Sequence, residues 1–205
     1  MNKFTSLFLV LLQSLLISCS AIKTPVTNQF KLSAFSVKPL TKQSTKQSIL
    51  VTEPEAVAGY QTEQMMYMKT PFELSAFANN AWINPPAAML FPLIMQSLQS
   101  SGCFYAVASS PHAEKTDYRI DTQLIELHQN FLCKPSRIDF AAKIVLTQVS
   151  DNRVIASRLM RQRVTCPTET PYGGVIAANR ATENFTAELN HFVINQVRKD
   201  SQTIK

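Results

Sequence analysis

Cys19 is the residue whose position most clearly suggests chemistry, because it follows an apolar run directly. The run Leu7–Ile17 is broken by only two polar residues, and Lys3 precedes it. Its length suits the apolar part of a secretory signal and is too short for a spanning helix. The tetrapeptide LISC ends at Cys19 and matches a bacterial lipobox, whose cysteine thiol accepts diacylglycerol before the signal is cleaved. The alternative is an ordinary secretory signal with a cysteine near its cleavage point.

The lipobox predicts an anchored protein. Residues 1–18 are then a removed signal peptide, Cys19 carries acyl chains such as palmitate, and residues 19–29 form a tether. Several acyl chains give stable anchoring, whereas one gives only marginal binding. Ser20 follows the cysteine, where retention in the inner membrane usually requires Asp, so we expect the periplasmic face of the outer membrane.

Three further cysteines remain in a chain that is expected to reach an oxidising compartment, so one bridge and one free thiol are predicted. If a hairpin turns near residues 151–152, Cys166 lies near Arg137, and Cys133 lies in the loop just before it. We therefore predict a Cys133–Cys166 disulfide and a buried free thiol at Cys103. No CxxC pair occurs, and the histidines are not spaced with the cysteines as metal ligands, so neither metal nor cofactor is predicted.

No catalytic motif stands out, and we predict that the chain is not an enzyme. GxSxG, HExxH and P-loop patterns do not occur in the sequence. His128 shares a strand face with Glu126, but no nucleophile is marked beside them; a surface histidine is the alternative. Gly173–Gly174 before a helix could bind an anion or could be a plain loop-to-helix junction. A lipid-modifying hydrolase would have to rely on His128 and the serines.

Four residues are candidates for binding a partner or ligand. Arg161 and Arg163 point the same way on a strand and could grip a carboxylate or phosphate; the alternative is the solvated face of an antiparallel sheet. Tyr67 and Trp82 belong to an aromatic group that could line a contact groove or fill the core. The chain has a formal net charge of +6, which could favour nucleic acid or anionic headgroups. Nucleic acid is not an expected partner in the periplasm.

The elements that would position these residues follow from hydrophobic periodicity. Period-two alternation predicts strands near 118–124, 138–147 and 154–165, joined as a meander. A helix is expected from Asn84 to Gly102, with a kink at Pro92, and a second helix from Gly174 onward. Earlier strands are predicted at 30–37 and in the stretches ILVTEP, MMYMKT, FELSAF and CFYAVAS. Together, these strands and helices predict one α/β domain over 30–200, with helices packed on a mixed and partly antiparallel sheet. A polar tail follows at 201–205.

The order of these features resembles the ABC-type transport auxiliary lipoproteins of the paraquat-inducible protein C type. The resemblance is carried by Tyr67, Leu74, Trp82, Pro85, Pro86, Leu90, Leu93, Leu98, Ser101, Gly102, Phe104 and Val107. It implies a non-catalytic lipoprotein that works with an ABC permease, its ATPase and an Mce-domain protein in lipid transport between membranes. The chain would dock the Mce-domain protein at the outer membrane, with bound lipid and a homo-oligomer left open. The alternative is an assembly lipoprotein that binds an outer-membrane barrel or a glycolipid.

Overall fold

The computed structural model describes residues 27–41, 45–110 and 116–203. The signal sequence, Cys19 and most of the predicted tether lie outside these ranges. The strands are β1 Asn28–Phe30, β2 Ser48–Val51, β3 Glu55–Ala56, β4 Gln64–Met68, β5 Ser75–Trp82, β6 Ala106–Ser109, β7 Tyr118–Asn130, β8 Arg137–Gln148 and β9 Arg153–Thr165. The helices are α1 Pro86–Ser100 and α2 Pro171–Thr203. This is the mixed α/β domain that the sequence predicted.

The long strand β7 organises the sheet. Along one side it pairs in turn with β2, β3 and β4, which lie end to end and parallel to it. Along the other side it pairs with antiparallel β8, and β8 pairs with antiparallel β9. Two wings extend beyond the short strands, β6 next to β2 and then β5 and β1 next to β4. The predicted meander of β7, β8 and β9 is therefore the half of the sheet made of long strands. The other half is made of short strands that lie end to end along β7.

The two helices pack together on one face of this sheet and form the core with it. Apolar residues alternate inward along β7 and β8, as period-two strands require. They meet the apolar stripe of α2, where the rings of Phe140 and Phe185 lie 5.0 Å apart. The largest fully buried side chains are those of Phe140, Phe185, Ile49, Leu90, Ile94, Leu98, Ile120, Leu124, Leu127, Ile144, Leu146 and Met160.

The strand directions give the sheet two different ends. The loops 69–74, 131–136 and 166–170 all leave the sheet at the end where β4, β7 and β9 finish. We call this the loop end. The opposite end, where β2, β6 and β7 begin and the turn 149–152 joins β8 to β9, is the turn end.

The prediction of a strand over 30–37 was wrong beyond its first residue. β1 ends at Phe30, and residues 31–40 run across the helices as an extended arm. Asn179 of α2 accepts hydrogen bonds from the backbone N–H groups of Ser33 and Ala34 at 2.8 and 3.1 Å. Thr186 accepts one from the N–H of Ser36 at 2.9 Å. Side chains of α2 thus satisfy backbone groups that the alternating pattern had assigned to a sheet.

Helix α1 follows its predicted bounds closely. Pro85 is the N-cap, without a side-chain cap bond, so Asn84 does not cap the helix as predicted. The helix continues through Pro92, which is exposed, so the hydrogen bond lost at the proline faces solvent. Gly102 has a φ of 67° just after the helix, the left-handed conformation that ends helices.

Helix α2 begins at Pro171, three residues before the predicted start. Its first turn is capped by Thr170, whose hydroxyl accepts a hydrogen bond from the N–H of Gly173 at 3.1 Å. A Cβ at Gly173 would collide with Thr168, and one at Gly174 with the side chain of Gln129. The paired glycines therefore permit close packing at the loop-to-helix junction, which favours the junction interpretation over anion binding.

Candidate partner-binding surface

The face of the sheet opposite the helices carries the charged candidates. Asp139 on β8 stands between His128 on β7 and Arg163 on β9, since these residues are direct cross-strand partners. Arg161 is the partner of Ala141 one step further along, on the same face. We call the exposed part of this face on β7, β8 and β9 the outer face.

Asp139 is the centre of a polar network on the outer face. One carboxylate oxygen accepts a hydrogen bond from Arg137 Nε at 2.8 Å and lies 3.6 Å from Arg163 Nε. The other accepts one from Asn130 Nδ2 at 2.7 Å. The hydrogen bond to Asp139 raises the pKa of Arg137. One arginine on the same strand and one on β9 thus neutralise the mostly buried carboxylate. The Arg163 side chain remains at the surface, where it is 67% exposed.

His128 is buried rather than on the surface, because the loop after β3 covers it. The Tyr60 hydroxyl in that loop lies 3.0 Å from His128 Nδ1. Burial, followed by the charges of Glu126 and Asp139, raises the pKa of Tyr60 to about 12, so the hydroxyl keeps its proton and stays hydrogen-bonded to Nδ1. Burial also lowers the pKa of His128, which favours the neutral ring. Nε2 of the same ring lies 4.0 Å from Asp139. The contacts of His128 with Tyr60 and Asp139 are therefore suited to fixing the loop after β3 on the sheet.

The two predicted arginines share the outer face, as the sequence suggested. Arg161 is exposed and makes no ion pair with the described residues. Arg158 belongs to the other face, where it forms an ion pair with Glu188 of α2 at 3.3 Å and lies over the Phe192 ring. The alternation of a strand separates Arg158 from Arg161 and Arg163, although the three are close in sequence.

Tyr67 belongs to a half-buried aromatic cluster at the loop end. Its ring lies 4.5 Å from that of Phe77 and 6.1 Å from that of Phe131. The Lys69 ammonium stands over both Tyr67 and Phe131, 5.2 and 5.5 Å from their centroids. The cluster combines apolar surface with a cation, a combination suited to a boundary between apolar and aqueous surroundings.

Trp82 is a core residue and offers no contact surface. It is 3% exposed, and with Met65 and Leu127 it lines a small internal cavity that Gly174 closes. Of the two alternatives for Trp82, the structure shows the core, because α2 and the sheet enclose the ring.

The predicted Cys133–Cys166 bridge is not formed, and both cysteines are free thiols in the structure. The register is one residue away from the predicted one, so that Thr165 rather than Cys166 faces Arg137. Cys133 Sγ donates to the Asn130 carbonyl within its own loop at 3.8 Å. Burial raises the pKa of the Cys166 thiol, and the side chain of Ser136 hydrogen-bonds to it. Each sulfur thus has a separate partner, and the bridge stays a prediction for the oxidised protein.

The described residues also form an open groove near the outer face. A groove of about 340 Å³ beside β3 is open to solvent and lined by Thr52, Glu53, Glu55, Asp121, Thr122, Gln123, Lys143 and Val145. Within the described ranges, no group of three or more His, Cys, Asp or Glu side chains is placed to hold a metal ion. Neither α1 nor α2 has the length and hydropathy of a membrane-crossing helix.

Sequence reasoning missed Tyr60 and Asp139. The alternation along β8 puts Asp139 on the polar face, and an accurate hairpin register would have set it opposite Arg163. Tyr60 had no such signal, because it lies 68 residues from His128 and approaches it from a loop.

Comparison with solved structures supports the fold. A crystal structure of a DUF330-family protein from Xanthomonas campestris superposes with a TM-score of 0.77 at 19% identity, covering 85% of this chain and 99% of that chain. An uncharacterized protein gives 0.66 at 12% identity, with 82% and 99% covered. A hypothetical protein from Chlamydia trachomatis gives 0.51 at 11% identity, with 73% and 98% covered. No curated protein sequence matches the chain.

The family assignment comes from the sequence match. The family model described as the ABC-type transport auxiliary lipoprotein component matches residues 30–190, which include every strand from β2 to β9, helix α1 and most of α2. The matched region contains the whole outer face and the aromatic cluster of the loop end. The chain therefore belongs to the ABC-type transport auxiliary lipoprotein family.

Proposed function

We propose that this lipoprotein is anchored through Cys19 in the periplasmic leaflet of the outer membrane. There it docks the periplasmic Mce-domain protein of an ABC-type lipid transport system. The role is positional and non-catalytic: acyl chains hold the domain at the membrane, and a surface of the domain holds the partner. The family membership supports the transport context, and the lipobox supports the anchor.

The observation that carries the docking role is the charged outer face. Arg161 and Arg163 project from a long sheet surface over which neither α1 nor α2 packs. Asp139 fixes Arg163 from one side, which reduces the entropy that its side chain loses on binding. Exposed guanidinium groups on a rigid strand suit a partner with carboxylates or other anions on its contact surface.

The polar network beside these arginines supports a structural role. Tyr60 stays protonated and His128 stays neutral, so neither side chain gains or loses a proton near neutral pH. A general base would need a pKa near the working pH and access to a substrate. The burial of His128 under Tyr60 opposes both requirements.

A crosslinking pull-down from cell envelopes tests the docking role. We expect the intact lipoprotein to capture the Mce-domain protein, and Arg161→Glu to lower the yield about tenfold, equivalent to roughly 1.4 kcal/mol of binding free energy. Arg180→Glu is the matched control, because Arg180 is an exposed arginine on α2 that pairs with Glu183 within the helix. Equal capture by both variants would exclude the outer face, and no capture by the wild type would exclude the partner.

The membrane assignment needs its own measurement. Cells grown with labelled palmitate should yield a labelled protein that sediments with outer-membrane fractions on a density gradient. Replacement of Cys19 by Ser should abolish the label. An unlabelled wild-type protein released with the periplasmic contents would refute the anchor.

A further inference from the structure

Phe72 is an apolar side chain displayed without any packing that explains it. The side chain is 101% exposed, at the tip of the loop between β4 and β5. Thr70 and Glu73 close a turn there, with the Glu73 N–H donating to the Thr70 carbonyl at 3.2 Å. Pro71 and Phe72 are its central residues, and Phe72 has a φ of 67°. Glycine or asparagine is usual at such a position, because a bulky residue is strained there.

The neighbouring loop presents apolar surface at the same place. The Phe131 N–H donates to the Met68 carbonyl at 2.8 Å, so the loops 69–74 and 131–136 leave the sheet side by side. Leu132 at the tip of the second loop is 48% exposed. Below the tips lies the Tyr67 aromatic cluster, with Lys69 over its rings. Exposed apolar tips above aromatic rings and a lysine are typical of groups that sit at a membrane interface.

The chain enters the domain facing this end. β1 runs parallel to β5, with Asn28 opposite Asn80, so the N-terminal side of Asn28 faces the loop end, where Ser75 begins β5. Ser75 is five positions from Asn80, at most about 17 Å along a strand, and the irregular pairing of β5 with β4 between these residues shortens the distance. Cys19 precedes Asn28 by nine positions, which span at most about 30 Å when extended. A leaflet that holds acyl chains on Cys19 is therefore within reach of the loop end.

Charge at the loop end does not oppose this contact. Lys69 and Lys134 are exposed there, together with Glu73 and Glu169. Glu169 accepts a hydrogen bond from the Ser136 N–H at 2.7 Å, which directs its carboxylate back toward the protein. The two lysines offset the two carboxylates in number, and the apolar tips supply the main attraction.

We propose that the loop end is a membrane-contacting surface, with Phe72 and Leu132 inserted into the interface of the leaflet that holds the lipid on Cys19. The contact rests on the proposed anchor, since the tether brings the loop end to the bilayer. It fixes the orientation of the domain, with the turn end directed away from the membrane. The strands then run along the membrane normal, so the outer face is turned to the side and a partner in the periplasm can reach it.

Tryptophan scanning on vesicles tests this orientation. The lipoprotein is reconstituted into phosphatidylethanolamine and phosphatidylglycerol vesicles with brominated acyl chains, which quench nearby tryptophan. The wild type contains one tryptophan, the buried Trp82, and supplies the baseline. Phe72→Trp and Leu132→Trp place probes at the loop end. Tyr105→Trp is the matched control, because Tyr105 is 78% exposed and precedes β6 at the turn end.

We expect the loop-end probes to lose about half or more of their added emission and to shift it to shorter wavelengths, as for residues buried roughly 5–10 Å into the interface. The Tyr105→Trp probe should keep its emission. Equal quenching at both ends, or none at either, in protein that floats with the vesicles would overturn the contact and leave the anchor and docking intact. Failure of the wild type to float would overturn the anchor and the contact together.

Discussion

The loop end and the turn end of the sheet are held together by different forces. At the turn end, Asp200 of α2 accepts a hydrogen bond from the Tyr118 hydroxyl at 3.0 Å. Its other carboxylate oxygen forms an ion pair with Arg153 at 3.0 Å. Asp117 accepts hydrogen bonds from the backbone and the hydroxyl of Ser48 at 2.7 and 2.8 Å. Polar groups thus fasten the end of α2 and the first residues of β2 to the sheet.

At the loop end, apolar contacts take this role. Trp82 lines a small cavity with Phe77 and with Gly174 of the first turn of α2. The rings of Tyr67 on β4 and Phe77 on β5 lie tilted to each other with their centroids 4.5 Å apart. Phe72 and Leu132 project beyond the packed surface there, as does Tyr172 in the first turn of α2, which is 60% exposed. The apolar residues of the loop end therefore form two groups: buried ones that stabilise the fold, and exposed ones that do not contribute to it. The following predictions separate the two groups and compare them with the turn end.

Truncation of Trp82 should have the largest effect. Trp82→Ala removes a 3% exposed ring and should lower the free energy of unfolding by about 3–5 kcal/mol, as for other buried aromatic residues. Urea unfolding followed by circular dichroism measures the change. Trp82→Phe keeps most of the volume and should retain partner capture. A loss of capture in a stably folded Trp82→Phe protein would show that the indole acts in binding.

The matching prediction for the turn end concerns Asp200. Asp200→Ala leaves the buried Tyr118 hydroxyl without its acceptor and should cost about 2 kcal/mol of unfolding free energy. Asp200→Asn is the control, because an amide oxygen still accepts the hydrogen bond while the charge opposite Arg153 is lost. If both variants unfold equally early, the charge rather than the hydrogen bond holds the turn end.

The buried imidazole should make the protein sensitive to acid. Burial lowers the pKa of His128 in the folded state, with the charges of Asp139 and Glu126 opposing and that of Arg137 adding to the shift. The unfolded chain therefore binds this proton first, and stability falls as pH drops through about 6.5, by about 1.4 kcal/mol per unit of pKa difference. Unfolding free energies at neutral and mildly acidic pH, compared with those of His128→Gln, isolate this contribution. An identical pH slope in the variant would assign the acid sensitivity to other groups.

Substitution of Phe72 should have the smallest effect on stability, and in the opposite direction. Glycine adopts the left-handed conformation without the strain of about 1–2 kcal/mol that other residues carry. Because glycine also loses about 0.5–1 kcal/mol more backbone entropy on folding, Phe72→Gly should raise the unfolding free energy by about 0.5–1 kcal/mol. Thermal unfolding of the variant and the wild type measures it. Phe72→Ala controls for loss of the ring, because alanine keeps the strained conformation. A clear loss of stability in Phe72→Gly would mean that the ring packs in the native state, against its full exposure.

Family and fold class were accessible from the sequence because their signals are local or ordered along the chain. The block from Trp82 through Pro86 to Gly102 carried the resemblance, and the family match over 30–190 confirmed it. The attachment of lipid at Cys19 is likewise a prediction from sequence alone. By contrast, the hairpin turns one position earlier than predicted, since Gln148 pairs with Arg153 across residues 149–152. The pairing is therefore two residues away from the predicted register near the turn, and the β-bulge between Leu146 and Thr147 reduces the difference to one at Arg137.

The meander, the two helices and the glycine stop at Gly102 could be predicted from the sequence, because backbone preferences and side-chain period act over a few residues. Tertiary packing was needed to show that residues 31–40 lie on helices rather than in the sheet, and that Trp82 is enclosed. It also brought Tyr60 onto His128 across 68 residues. These outcomes depend on which distant surfaces pack together, and a strand-like pattern has the same spacing whether its backbone pairs with a strand or with the side chains of a helix.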